Sequence, residues 1–461
     1  MISRYLKVTS VLILVSIGFI MQPVVAKPTL SLAQAIELAQ VNDPWLQGSR
    51  LKESAMLDRS IASGTLADPK VSLSVANLPT DTWNFEQENM TQLKVGVSQV
   101  FPRGNALNIK QAQLRSAAQK FPLLRDDRQA KVKTIVSQLW LSVYVAQTTI
   151  NLINQDKALF EQLVDVAKAS YATASGNTRQ QNVIRSQLEL VQLDDRLIVQ
   201  QQKLEASLAQ LNEWLHPYDS DANYAIDFDS HSHEWSLPSL LPSIQLSAMQ
   251  LKDIGLVNSG TFSRNELAQK LLKHPSVLAL EVEQEVARKG VLLAKQEYKP
   301  QWEVNASYGL RDNASAGVDR ADLFSVGVTF DVPLFTSNRQ DRVLSAAKSE
   351  SAAIKTEKLL LVKKMLASLG KETSSLKRLF DRQALYQDQL LQQTHDQAES
   401  VLTAYTNDDG DFSEVVRARI TELNTKISAL QIDIDVLKTI SKINYFLTKS
   451  KHQNSGEPNV N

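Results

Sequence analysis

Two hydrophobic rhythms take turns along this chain. In a few short segments apolar and polar residues alternate with period two. Val71, Leu73 and Val75 alternate with Lys70, Ser72 and Ser74, and Leu93, Val95 and Val97 with Lys94, Gly96 and Ser98. Further on, Trp302, Val304, Ala306, Tyr308 and Leu310 alternate with Glu303, Asn305, Ser307 and Gly309. A fourth segment sets Phe324, Val326, Val328, Phe330 and Val332 against Ser325, Gly327, Thr329 and Asp331. Successive side chains of a strand point to opposite faces, so this pattern predicts four two-faced β-strands. A half-buried soluble sheet and a membrane-crossing strand of about ten residues both fit it.

Long stretches show the other rhythm. Between Pro122 and Pro217 there is no proline and one glycine, Gly176; between Pro333 and Pro458 only Gly370, Gly410 and Gly456 interrupt. Leu139, Val143, Ala146, Ile150, Ile153, Phe160, Val164, Ala167 and Tyr171 follow steps of four and three, with Lys157 out of character. That is a coiled-coil seam. In the second stretch Val362, Leu369, Leu376 and Leu390 share one heptad line, and Leu366 and Phe380 the other. A helix from about Asn338 to Thr403 would reach roughly 100 Å. The breaks near Gly176 and from Asn407 to Asp411 read as tips of two long antiparallel hairpins.

The whole arrangement occurs twice. Pro44 and Pro275, Pro69 and Pro300, Gly96 and Gly327, and Pro102 and Pro333 are each 231 residues apart. Val183-Ile184-Arg185 returns one residue late, as Val415-Val416-Arg417. Each copy holds two strands and one hairpin. Four strands are too few to close a barrel, which needs about eight. An open sheet edge is not tolerated in lipid. A membrane barrel would therefore need several copies of the chain. The polar loops from Pro79 to Thr91 and from Arg311 to Asp322 favour the membrane reading, and Trp302, Tyr308, Phe324 and Phe330 would then form an interfacial girdle.

Helix, strand pair and long hairpin, duplicated in that order behind a single apolar first segment, resemble the TolC family of outer-membrane efflux channels. The resemblance covers nearly all of the chain after its first segment. It is carried by LSLAQAIELAQVNDPWL (30–46), VFPRGN (100–105), QQNVIRSQLELVQLDDRL (180–197), YKPQWEVNASYG (298–309), FSVGVTFDVPLF (324–335) and FSEVVRARITEL (412–423). It implies an α+β membrane protein: a homotrimer sharing a 12-stranded outer-membrane β-barrel, continued by a periplasmic α-helical barrel. It also implies two partners, a periplasmic adaptor and an inner-membrane pump. The 180–197 stretch is most similar to the branch serving heavy-metal and related resistance-nodulation-division pumps. The corresponding domains are 27–216 and 263–447 as the two repeats, 217–262 between them, and a polar tail at 448–461.

Composition narrows the alternatives. Residues 1–26 have the form of a secretory signal: Arg4 and Lys7, an apolar run from Val8 to Ile20, then Val24-Val25-Ala26. Without them, 48 basic residues face 50 acidic ones, which argues against a nucleic-acid partner. No cysteine is present, so disulfides, thiol catalysis and a lipidated cysteine anchor are excluded. No phosphate loop, zinc-protease helix or nucleophile elbow appears, and the chain reads as a non-enzyme with no cofactor and no metal. His231-Ser232-His233-Glu234 lies in a polar linker and reads as solvated.

The resemblance makes the hairpin tips the periplasmic entrance. Under threefold symmetry Asp408, Asp409 and Asp411 would surround one axis, and a carboxylate ring favours cations. Ser175, Gly176, Asn177, Thr178 and Arg179 are the candidate adaptor contacts at the first tip. Plain turns would explain both tips as well. The second copy reads as the gate and the first as its fixed neighbour. Asp126-Asp127 and Asp194-Asp195 fall on long helices and read as solvated or lumen-facing charge. The rival function is a periplasmic adaptor or coiled-coil scaffold.

Overall fold

The computed structural model describes residues 29–172, 180–216, 236–247, 264–313, 317–407 and 410–451. The first repeat contributes α1 (Leu32–Val41), α2 (Pro44–Ser63), β1 (Lys70–Ala76), β2 (Gln92–Phe101), α3 (Ala106–Ala118), α4 (Lys120–Ala172) and α5 (Gln180–Leu215). The second contributes α6 (Arg264–Leu271), α7 (Pro275–Gln296), β3 (Trp302–Leu310), β4 (Leu323–Phe330) and α8 (Gln340–Leu385). A π-helical segment (Tyr386–Leu390), α9 (Leu391–Thr406) and α10 (Phe412–Phe446) complete it. No described helix is long and apolar enough to cross a membrane.

The prolines of the echo have a shared local use. Pro44 and Pro275 sit in the first turns of α2 and α7, where a missing N–H costs nothing, behind the capping side chains of Asp43 and His274. Departures from the echo also leave marks. Pro122 lacks an N–H and its ring crowds the carbonyl four residues back. The chain breaks there, α3 ending at Ala118 and α4 starting at Lys120. Its counterpart Ala353 lies inside the continuous α8.

The single extra residue of the second copy also has a place. Pro102 to Val183 spans 81 positions and Pro333 to Val415 spans 82. Within that interval, the N–H of Leu391 reaches back five residues to Tyr386 O, and the π segment absorbs one residue without rotating the helix beyond it. Thr394 Oγ1 caps the loosened turn by donating to Leu390 O at 2.8 Å.

The four strands form one antiparallel sheet in the order β1-β2-β3-β4. Its register puts Val71, Val97, Ala306 and Val326 in one row, and Leu73, Val95, Tyr308 and Phe324 in the next. One face is thus apolar across all four strands and the other carries serine, glycine, asparagine and lysine. The helices follow two orders. Beside the sheet they pack as α2–α3–α7–α8, and towards the tips as α5–α4–α10–α9. Three apolar clusters hold them. Trp140, Val136 and Leu141 of α4 are buried against Ala35 and Ala39 of α1, with Trp140 Nε1 donating to Leu30 O at 3.0 Å. Phe160, Leu193 and Phe412 fill the tip half. Leu271, Leu369, Leu376 and Ile443 join α6, α8 and α10.

Candidate functional site

The sheet presents its apolar face outward. Val71 and Leu73 are 75% and 72% exposed and Phe324 is 70% exposed, whereas a soluble sheet would bury such a face. Its aromatics fall in two cross-strand pairs. Trp302 lies beside Phe330 at the helical end, ring centroids 4.8 Å apart. Tyr308 faces Phe324 at the loop end, about 20 Å further along at 3.3 Å per residue. Tyr308 turns its hydroxyl to Asp322 at 2.7 Å. On the opposite face the glycines make room for neighbours. A Cβ on Gly327 would come within 2.4 Å of Asn305 Oδ1, and one on Gly96 within 2.7 Å of Ser72 Oγ.

Where the sheet meets the helices, Arg103 of the VFPRGN stretch ties the two repeats. Its guanidinium donates to Lys299 O at 2.7 Å, pairs with Asp331, and lies 3.5 Å from Glu297. Beyond the other rim, Arg320 donates to Asn89 Oδ1 at 2.8 Å and Arg311 to Asn89 O at 3.3 Å, fastening the two outer loops together.

Among the tip residues, Asp408, Asp409 and Ser175, Gly176, Asn177, Thr178 and Arg179 lie outside the described residues, as do His231 to Glu234 and residues 1–26. Asp411 caps α10: its carboxylate accepts from Ser413 N and Ser413 Oγ, both at 3.0 Å. Gly410 is pressed against the end of α9, where a Cβ would come within 2.8 Å of Tyr405 N. Tyr405 and Phe412 meet edge to face across this turn, 5.4 Å apart.

Two buried polar networks were not visible in the sequence. The first corrects the expectation for Asp126-Asp127, which are 8% and 5% exposed rather than solvated. Asp126 accepts from Ser450 Oγ at 2.7 Å, and Asp127 accepts from Tyr445 Oη at 3.0 Å and pairs with Lys131. Burial raises the Tyr445 phenol well above its ordinary range, and the neighbouring Asp127 charge adds to it. His274, fully buried, lies 3.1 Å from Tyr445 O through Nε2, while Nδ1 accepts from Ser276 N at 3.3 Å. Burial lowers its pKa, against the opposing pull of Asp127 and that carbonyl. At the echo position Asp43 pairs with Arg128 at 2.7 Å, whose guanidinium sits over Trp45 and Trp214.

The second network lies three turns above the second tip. Glu422 is 4% exposed and takes His395 Nδ1 and Arg419 Nη1 at 2.9 Å and Lys426 Nζ at 3.0 Å. Burial pushes its pKa up, but the three donors prevail and hold it down to about 2. Arg419 reaches Glu399 as well, at 2.8 Å. Asp156 of α4 faces the same cluster and is raised by burial. Nearby, Asp194 pairs with Lys157 at 2.6 Å, which explains the lysine that breaks the α4 seam. Among the described residues no group of three or more His, Cys, Asp or Glu could hold a metal ion.

The sequence matches no family model and no curated protein. The structure is similar to solved outer-membrane channels. Against CusC the TM-score is 0.70 at 14% identity, covering 91% of this chain and 92% of that one. Against VceC of Vibrio cholerae it is 0.70 at 12%, covering 91% and 96%. Against the open state of MtrE of Neisseria gonorrhoeae it is 0.65 at 13%, covering 90% and 88%. The chain has the fold of the TolC-like outer-membrane channels.

Proposed function

We propose that the chain is the outer-membrane exit duct of a tripartite efflux system, passively conducting substrate that an inner-membrane pump and a periplasmic adaptor deliver. The observation that carries this reading is the sheet, with a continuous apolar face turned outward, a polar face behind it, and unpaired edges at β1 and β4. Such a sheet is stable in lipid only when further copies complete it.

The helical layers support the same assembly, because each also has open ends. At one end of the upper layer α2 exposes Leu51 and Ile61; at the other α8 exposes Val343, Leu359 and Leu360. In the lower layer α5 has a second seam at heptad spacing, Ile184, Leu188, Val191 and Ile198, that nothing among the described residues covers. A helix in a barrel needs two seams, one for each neighbour. Three copies would give twelve strands and a closed helical tunnel, the homotrimer of the family it resembles. The repeats would be 27–216 and 263–447, with Trp302, Tyr308, Phe324 and Phe330 at the lipid interfaces. Residues 175–179 would meet the adaptor, and Asp408, Asp409 and Asp411 would line the entrance. A pump of the resistance-nodulation-division type fits best, since the 180–197 stretch resembles the branch of the family that serves such pumps.

Membrane fractionation tests the proposal. Extraction by detergent alone, with a heat-modifiable oligomer of about three chains, is expected. Release by osmotic shock would instead establish a periplasmic scaffold.

A further inference from the structure

Between the two hairpins, midway along their length, lies a cavity of about 500 Å³. It is walled by α4, α5, α8 and α10, so every wall comes from one hairpin or the other. Its charge is unbalanced. Lys203 of α5 and Arg382 of α8 stand at the solvent-facing rim, and among the described residues neither has a carboxylate within ion-pair distance. Lys438 of α10 lies at the floor and donates to Ser142 Oγ at 2.8 Å. The one acidic group in the lining is Asp435, and Gln431 already occupies one of its oxygens at 2.9 Å. Three cations therefore face one carboxylate.

At Lys438, the shielded member of the three, that surplus is costly. Burial lowers the pKa of Lys438, with Asp435 opposing and Lys442 adding to the effect. An anion entering the cleft would relieve this repulsion and gain charge-assisted hydrogen bonds from three sides. The volume is far greater than a small inorganic ion fills, and part of the wall is aliphatic: Val145, Ala146, Ile427 and Ile432. The fitting ligand has an anionic head and an apolar body.

We infer that this cleft binds an amphiphilic organic anion, its head group held by Lys203, Arg382 and Lys438 and its body against the aliphatic wall. The occupant touches both hairpins and so ties them together. The inference stands on the cleft itself and does not require the duct reading.

Isothermal titration of the full-length protein in a nonionic detergent with naphthalene-2-sulfonate, at fixed ionic strength, tests it. Saturable binding is expected, weakened about tenfold in the K203Q/R382Q double variant. Asp435→Asn should tighten it, a response that damage to the fold cannot produce. Neutral naphthalene-2-methanol should bind at least about tenfold more weakly than the sulfonate. Four results would overturn the inference: no saturable binding, equal binding of the neutral compound, wild-type affinity in the double variant, or no tightening with Asp435→Asn.

Discussion

His274 and Glu422 show how single buried ionisable groups set the pH range of the molecule. His274 is neutral in the fold and its pKa is lowered by burial, so the unfolded chain binds its proton more readily. Its contribution to stability is complete above the ordinary histidine pKa of about 6.5 and declines as pH falls below it. Substituting His274 with Gln should remove this acid sensitivity, measured as a flatter thermal midpoint between about pH 6.5 and 5. Glu422 works in a lower window. Its pKa is depressed to about 2, so its stabilisation is present above the ordinary glutamate value of 4.5 and lost as pH falls between them. Glu422→Gln removes one charge from under three donors, and we expect a cost of about 1–2 kcal/mol at neutral pH, read from the thermal midpoint. Neither role was legible beforehand. His274 was visible only as the residue before Pro275, and Glu422 as one glutamate among many on a helix. Asp127 was misread because its partner Tyr445 is 318 residues away. Heptad position reports which face a residue occupies, and only tertiary packing decides what covers that face.

The elements themselves were far easier to read, because periodicity is local. Strict alternation placed all four strands, and β4 ends only slightly earlier than the pattern, at Phe330, where Asp331 turns aside to accept from Gln301 N at 2.6 Å. Heptad spacing over proline-free stretches placed both hairpins. What alternation could not choose was the medium outside the sheet; the exposed apolar face fits lipid. A lysine at Val326, in the middle of that face, should cost about 2–4 kcal/mol in the assembled state. Its measure is the yield of heat-modifiable oligomer. The π segment offers a sharper test at this scale. If it absorbs the extra residue, deleting Gln389 restores an α-helix without rotating α9, and the thermal midpoint should hold or rise. Deleting Lys371 instead, inside regular α8, turns everything beyond it by about 100° and should unfold the hairpin.

At the scale of the whole molecule, the proposed conduction and its control would belong to the assembly. If Asp408, Asp409 and Asp411 face a common axis, replacing all three with Ala should weaken divalent-cation block of single-channel current in planar bilayers. Unchanged block would remove the acidic ring. Asp411→Ala alone separates the two uses of that residue. As the cap of α10 its loss should cost about 1 kcal/mol of helix stability whatever happens to block. Within the second hairpin the Glu399–Arg419–Glu422–His395 network braces α9 to α10, while the cluster of Phe160, Leu193 and Phe412 packs that hairpin against the first. The second hairpin's neighbours across the tunnel would be copies of itself, which one chain's sequence can imply only through the edges it leaves bare.

Those bare edges have a genetic corollary. A subunit whose β1 accepts a neighbour but whose β4 is spoiled would still enter a ring and stop its completion. If the ring has three members, equal expression with the intact form would leave roughly one ring in eight wholly intact. Lesions at the β4 edge should therefore be dominant, while lesions that prevent the chain from folding at all should be recessive.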